Sequence, residues 1–153
     1  MPVRPATHDD LSALGELLDG YRRFYGQAAD LAAATDFASR RLALGDSHLL
    51  VETGPGGTLR GFVQLYPTLS TVQLAPRWIL GDLFVAPEAR RQGVAKALMN
   101  AARDLAESHG IAQLRLQTQV ENHSAKALYA SMGWHRDDAF DHYSLSLPTA
   151  GAR

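Results

Sequence analysis

The run Ile79-Leu80-Gly81-Asp82-Leu83-Phe84-Val85, followed beyond Pro87 by Arg90-Arg91-Gln92-Gly93-Val94-Ala95-Lys96, decides the fold. An apolar strand that enters a small-residue turn and then a helix aims free backbone N–H groups, reinforced by the helix dipole, at one point in space. That point suits a diphosphate. A side chain at Gly93 would stand between those N–H groups and a ligand, and Ala95 keeps the next turn nearly as bare. Arg90, Arg91 and Lys96 add positive charge around the turn. Many helices begin with a basic, glycine-containing turn for structural reasons alone, so the rest of the chain must decide its meaning.

Working outward, Val94, Leu98, Ala101, Ala102 and Leu105 recur at helical spacing and predict a helix from the turn to Ser108, stopped by His109-Gly110. Ile111, Leu114 and Leu116 read as a short strand. A last helix is expected over 124–132, with Ala125, Leu128, Tyr129 and Met132 on one face. Final strands follow at Trp134 and over 140–147, and a frayed tail over 148–153. Toward the amino terminus, Thr53-Gly54-Pro55-Gly56-Gly57 between the apolar runs 48–52 and 60–66 predicts a hairpin, its glycines making a turn rather than a phosphate loop. The segment 68–77 reads as a loop or ragged strand. An Ala-rich helix is expected over 28–44, ended by Gly45. Leu11, Leu14, Leu17, Leu18 and Tyr21 mark an earlier helix, begun by Thr7 with Asp10 at the capping-box position and closed by Gly26. Residues 3–6 read as a short edge strand. The order is mixed α/β without repeat or linker, and predicts one domain over 1–153.

A chain of 153 residues with 46% apolar content supports one proper core. With 15 basic and 16 acidic residues the formal charge is −1, which marks neither a nucleic-acid nor a membrane-surface binder. The absence of cysteine excludes a disulfide framework, a thiolate metal site and an acyl-cysteine intermediate. Met1-Pro2-Val3-Arg4-Pro5 holds no apolar signal core, and no run approaches the length of a membrane span, so a soluble, cytoplasmic protein is expected. The histidines at 8, 48, 109, 123, 135 and 142 form no helical pair and no His-x-His set, and no metal is expected.

Beyond the turn stands Asn122-x-x-Ala125-x-x-Leu128-Tyr129-x-x-Met132-Gly133-Trp134. Together with the strand before it, Arg90-x-x-Gly93-x-Ala95, and the opening Val3-Arg4-Pro5-Ala6, this resembles the Gcn5-related N-acetyltransferase (GNAT) superfamily over nearly the whole chain. Within it the chain is most similar to the small diamine and Hpa-type acetyltransferases. The resemblance implies an α/β (α+β) fold with a mixed, mostly antiparallel twisted sheet, splayed between its central strands and flanked by about four helices. It implies acetyl-coenzyme A as cofactor and a small-molecule or peptide amine as acceptor, and it admits a homodimer. Leu83, Phe84 and Val85 would then pair through their backbone with the pantetheine arm as an added strand. The amides of Arg91, Gln92, Gly93, Val94, Ala95 and Lys96 would receive the diphosphate, with Arg90 beside them. Asn122 would hydrogen-bond the pantetheine, with Ala125 on the same helical turn, and the amide of Phe84 or Val85 would face the oxygen on which negative charge develops. Tyr129 would return a proton to the departing thiolate. From the residues alone, spacing favours Tyr129 as a core aromatic beside Leu128 and Met132, and only the motif reverses that preference; Asn122 alone fits a helix start.

The acceptor is less legible. An alkyl amine with a pKa of about 10.4 is almost wholly protonated near neutrality, so freeing it costs on the order of 4 kcal/mol. Asp82 is the candidate to bind or deprotonate it, although a strand acid can equally face solvent and a water chain can serve as base. His142, Tyr143, Asp138 and Asp141 are weaker alternatives. Relatives that act on polyamines often carry an acid pair at the positions of Gly81 and Asp82, and the glycine departs from that pattern. Tyr21, Phe24 and Tyr25, near the end of the first helix, and Trp78, at the start of the strand, are candidate acceptor-pocket residues; the alternative is a core role. Aromatics beside Asp82 suit a cationic amine, and Arg22-Arg23 argues mildly against one. A second reading is a non-catalytic coenzyme A or acyl-coenzyme A sensor, favoured by Gly81 and opposed by Tyr129. A nucleotide P-loop fits poorly, because Gly93-Val94-Ala95-Lys96-Ala97 lacks the Gly-Lys-Ser/Thr ending.

Overall fold

In the computed structural model, which describes residues 2–149, the first helix begins as the capping pattern predicts. The Thr7 amide donates to Asp10 Oδ2 at 2.8 Å, and the Arg4 guanidinium spans both Asp10 oxygens at 2.8 and 2.9 Å. A 3-10 turn, His8–Asp10, then feeds α1, Leu11–Phe24. The second helix, α2, runs Leu31–Leu44 and so starts later than expected. Asp30 caps it by accepting from the Ala33 amide at 3.1 Å, while the Asp30 amide donates to the buried Asp19 of α1 at 2.9 Å. Gly45, at φ 62°, ends it.

The strands are β1 Val3–Pro5, β2 His48–Thr53, β3 Leu59–Tyr66 and, after a small separate ribbon of β4 Leu69–Ser70 and β5 Ala75–Pro76, β6 Trp78–Val85 and β7 Leu114–Leu116. The five-stranded sheet has the order β1-β2-β3-β6-β7, antiparallel except for the parallel β6–β7 pair. The mixed, mostly antiparallel sheet and the four α-helices among the described residues match the expected fold class. Leu14, Leu17 and Leu18 of α1 and Ala34 and Ala38 of α2 bury one face of the sheet against Leu49, Val51 and Phe62. On the other face lies α3, Val94–Ser108. Its Val94 and Leu98 sit so close to Gly61 that a Cβ there would come within 3.3 and 3.0 Å of them.

Two irregularities of β6 position everything that follows. Gln64 faces Asp82 but Leu65 faces Leu80, so Gly81 is an extra residue in the strand, a β-bulge. The extra residue shifts the side-chain alternation, placing Asp82 and Phe84 on the face of α1 and α2 and Trp78 and Leu80 on the face of α3. Second, β7 pairs only with Trp78, Ile79 and Leu80, while β6 runs on to Val85. β7 ends at Leu116, opposite Leu80, so the edge of β6 beyond Leu80 has no partner in the sheet.

The chain divides into two compact units, one up to Gln117 and one from Thr118 onward. The second holds α4, His123–Ser131, capped by Asn122 through a bond from the Ala125 amide to Oδ1 at 3.1 Å. Among the described residues after α4 there is no strand, contrary to the expectation for Trp134 and 140–147. Tyr143, Leu145 and Leu147 do alternate with polar residues, but their side chains are exposed. Alternation makes a strand only where a neighbouring backbone completes the ladder. Residues 150–153 of the expected tail lie outside the described residues.

Candidate active site

The bulge turns the Asp82 carboxylate into a cavity of about 410 Å³ between the sheet and the two amino-terminal helices. That volume is of the size that holds small ligands. Its sheet wall is Phe62, Gln64, Tyr66 and Asp82, and its helical wall includes Leu18, Tyr21 and Arg22 from α1 and Ala34, Phe37 and Arg40 from α2.

Asp82 is held by a polar chain. Ser47 donates to Gln64 Oε1 at 2.7 Å, Gln64 Nε2 donates to Asp82 Oδ2 at 2.9 Å, and the Tyr66 hydroxyl donates to the same oxygen at 2.7 Å. Gln64 is buried, so its amide is locked with oxygen toward Ser47 and nitrogen toward Asp82. Burial, then the charge of Asp82, raises the Tyr21 phenol far above its usual range, and burial, then the bond to Asp82, does the same for Tyr66. Both phenols therefore stay protonated and serve as donors beside the carboxylate.

Gly81 is explained by the same geometry. A Cβ on Gly81 would fall 2.2 Å from the Tyr66 ring, so the glycine is the seat of that ring. Where an acid pair would place a second carboxylate, this chain places the tyrosine that grips Asp82.

The aromatic candidates separate. Tyr21 lines the Asp82 cavity. Phe24 lies beside a second cavity, with the Arg90 guanidinium 5.7 Å from its ring and 5.5 Å from that of Phe84. Tyr25 meets Tyr21 and Phe24 edge-on at 5.1 and 5.3 Å. Trp78 stands on the opposite face of the sheet, stacked on His48 at 4.5 Å and near His109 at 5.0 Å, because the bulge lies between it and Asp82.

The other half of the site runs along β6 into α3. The Ala86 amide donates to Arg60 O at 2.8 Å, so the alternation of the antiparallel ladder turns the Phe84 amide toward β3 and those of Leu83 and Val85 toward the edge that β7 leaves open. Arg90 Nε donates to Val85 O at 3.1 Å. At the turn, Arg91 has φ 61° and Gly93 φ 82°, both left-handed. The left-handed φ of Gly93 is a conformational reason for glycine at this position. The first bond of α3 runs from the Ala97 amide to Gly93 O, which leaves the amides of Val94, Ala95 and Lys96 ahead of the helical ladder. Gln92 braces the turn through Glu88 O at 3.2 Å and Arg60 at 3.3 Å, and Arg91, Gln92 and Lys96 are exposed. A concave turn with uncommitted amides and cationic side chains fits a diphosphate, and an open strand edge fits an amide-bearing arm.

Asn122, Ala125 and Tyr129 belong to the second unit. The Asn122 oxygen is committed to its cap, which leaves the amide nitrogen as its donor. The Tyr129 ring lies 6.3 Å from that of Trp134, on the helix-ending turn closed by the Trp134 amide on Tyr129 O at 3.0 Å.

Gln64, Tyr66, Phe37 and Arg40 escaped the sequence reading. The signal for the first two was Gly81, since an isolated glycine inside a strand marks a bulge or a close approach.

Comparison with known proteins agrees with this geometry. A family model described as the acetyltransferase (GNAT) family matches residues 13–134. An uncharacterized N-acetyltransferase of Bacillus subtilis, YhfO, is 41% identical over 148 residues, covering 97% of this chain and 99% of the relative. A probable acetyltransferase of Haemophilus influenzae is 32% identical over 68% of this chain and 71% of its own length. A crystal structure of a probable acetyltransferase superposes with a TM-score of 0.90 at 34% identity, covering 98% of this chain and all of the other.

Proposed function

The chain belongs to the acetyltransferase (GNAT) family and is an enzyme of that class, and from that premise we propose that it transfers the acetyl group of acetyl-coenzyme A to a primary amine held in the cavity at Asp82. One observation carries the reading: β6 presents an open amide edge at Val85 and, three residues earlier on the same strand, a carboxylate inside a cavity. Three residues of strand span about 10 Å, so one rigid element can serve both partners of a transfer. The family match crosses the boundary between the two units, which supports a single acetyltransferase domain.

The edge of Leu83 and Val85 would hold the pantetheine arm, and the amides of Val94, Ala95 and Lys96, with Arg90 and Arg91, the diphosphate. When bound, acetyl-coenzyme A supplies an acyl group on a thiolate leaving group. Asp82 meets the incoming ammonium and either fixes it or accepts its proton, and the Tyr66 and Gln64 donors hold the carboxylate in place. The Val85 amide, turned to the open edge, is the donor for the oxygen on which charge develops. A carbon–nitrogen bond forms, the carbon–sulfur bond breaks, and the thiolate takes a proton. Tyr129 is the proposed donor of that proton on the strength of its place in the family motif.

The test is thiol release from acetyl-coenzyme A across a panel of free amines, amino acids and peptides, with wild type beside Asp82→Asn. Acetylation of an amine, lost on that substitution, supports the reading. Tight binding of coenzyme A without transfer to any amine overturns it in favour of the sensor. No helix among the described residues is long and apolar enough to cross a membrane.

A further inference from the structure

The cavity at Asp82 has two chemically opposed walls. The sheet wall carries its carboxylate, and the helical wall carries two guanidinium groups, Arg22 and Arg40, together with the apolar Leu18, Ala34 and Phe37. The guanidinium groups differ in how firmly they are held. Arg22 is committed, since its Nη1 lies 2.9 Å from the buried Asp19 carboxylate and 3.0 Å from Ala28 O. Arg40 meets Asp36, one turn back on α2, at 2.8 Å, and the two side chains are 63% and 62% exposed. An exposed pair at that spacing contributes only about 0.3–0.5 kcal/mol, so Arg40 can exchange Asp36 for another anion. The spacing of Ala33, Phe37 and Arg40 puts the guanidinium on the α2 stripe that lines the cavity.

Resting on the acceptor cavity argued above, we propose that the acceptor is a primary amine that carries a carboxylate remote from its nitrogen across an apolar spacer, with Asp82 meeting the ammonium and Arg40 selecting the carboxylate. Each end of such a molecule finds the opposite charge, and its spacer lies against Phe37, Phe62 and Leu18. A diamine would bring its second ammonium beside Arg22 and Arg40, whose carboxylate partners Asp19 and Asp36 are already taken, so it finds no free anion there. A plain alkylamine leaves Arg40 with Asp36. In an α-amino acid the two groups are adjacent, so it offers no remote carboxylate to Arg40. A planar guanidinium takes a carboxylate through two parallel hydrogen bonds, which a lysine at this position would not reproduce.

The experiment compares matched amines on the full-length enzyme: para-(aminomethyl)benzoate against benzylamine, ε-aminocaproate against n-hexylamine and hexamethylenediamine, and L-phenylalanine against phenethylamine. The readouts are kcat/KM for acetyl transfer and, independently, calorimetric binding of the same amines to enzyme saturated with coenzyme A. The remote carboxylate is expected to favour its amine by at least about tenfold, the scale of a hydrogen bond between charged groups. Arg40→Gln should bring each ratio to parity, Arg40→Glu should invert it toward hexamethylenediamine, and Asp36→Asn, which releases Arg40 from its competitor, should increase it. L-Phenylalanine should show no gain over phenethylamine. No preference in wild type, or a preference that survives Arg40→Gln, overturns the proposal. If no amine is acetylated, the transfer reading fails by itself, and the calorimetric ratios still decide this one.

Discussion

Gly81→Ala is the substitution whose outcome follows most directly from the geometry of the site. Gly81 does not take a left-handed φ, so alanine is allowed there by its backbone. Its added methyl, however, would sit 2.2 and 2.5 Å from two carbons of the Tyr66 ring. Carbon atoms rest at about 3.5–4.0 Å, so the ring must retreat by more than about 1 Å. That movement pulls the hydroxyl off Asp82, to which it now donates at 2.7 Å. Overpacking costs about 1–3 kcal/mol, and a hydrogen bond to a charged group is worth about 1.5–3 kcal/mol. Because Tyr66 is only half-buried, the expected loss of unfolding free energy is about 2–4 kcal/mol. The assay is urea unfolding of wild type, Gly81→Ala, Tyr66→Ala and the double variant. With the ring gone, alanine at 81 should be neutral or gain about 0.4–1 kcal/mol by restricting the unfolded chain. The cycle should therefore show a coupling of at least about 2 kcal/mol, and one below about 0.5 kcal/mol would refute the seating of Tyr66 on Gly81.

The turn gives a second prediction: Gly93, at φ 82°, should cost about 1–2 kcal/mol when replaced by alanine in the same unfolding assay. Gly93→Glu should yield a folded protein that no longer retains coenzyme A, and normal calorimetric affinity would remove the diphosphate from this turn. Tyr129→Phe should lower kcat strongly with little change in coenzyme A affinity, and unchanged turnover would dismiss it as the proton donor. Asp10 is held below the usual aspartate range, first by its hydrogen bond from Arg4. A lowered folded pKa gives stability that is present above the unfolded value of about 3.9 and lost as pH falls toward the folded one. Asp10→Asn should therefore flatten that acid limb of the unfolding free energy, and an unchanged limb would show that the Arg4 pair does not contribute to it.

Much of the fold could be read locally. The Thr7–Asp10 cap, the glycine-rich hairpin, the strand ending at Val85 and the α3 stripe from Val94 are short-range patterns, and each forms where its own residues place it. Asp82 was legible as a candidate through the resemblance, since relatives that act on polyamines often carry acids at its position, while the residues alone left it equally able to face solvent. Its surroundings were not: Gln64 and Tyr66 reach it only across the β3–β6 pairing, and Phe37 and Arg40 only by the packing of α2 on the sheet. The late strands failed for the converse reason, since 140–147 carries the alternation without a ladder among the described residues.

Gly81 marks the division most clearly. The sequence alone determined that the strand contains a glycine before its acid, that a basic turn with Gly93 opens a helix, and that the order of motifs is that of a GNAT acetyltransferase. Only the tertiary structure decided that this glycine is a bulge, because register is a relation between two strands and a single inserted residue reverses the face of every side chain beyond it. That reversal sends Trp78 to α3 and Asp82 to the cavity, and it gives the Tyr66 ring the space that a side chain at 81 would have filled.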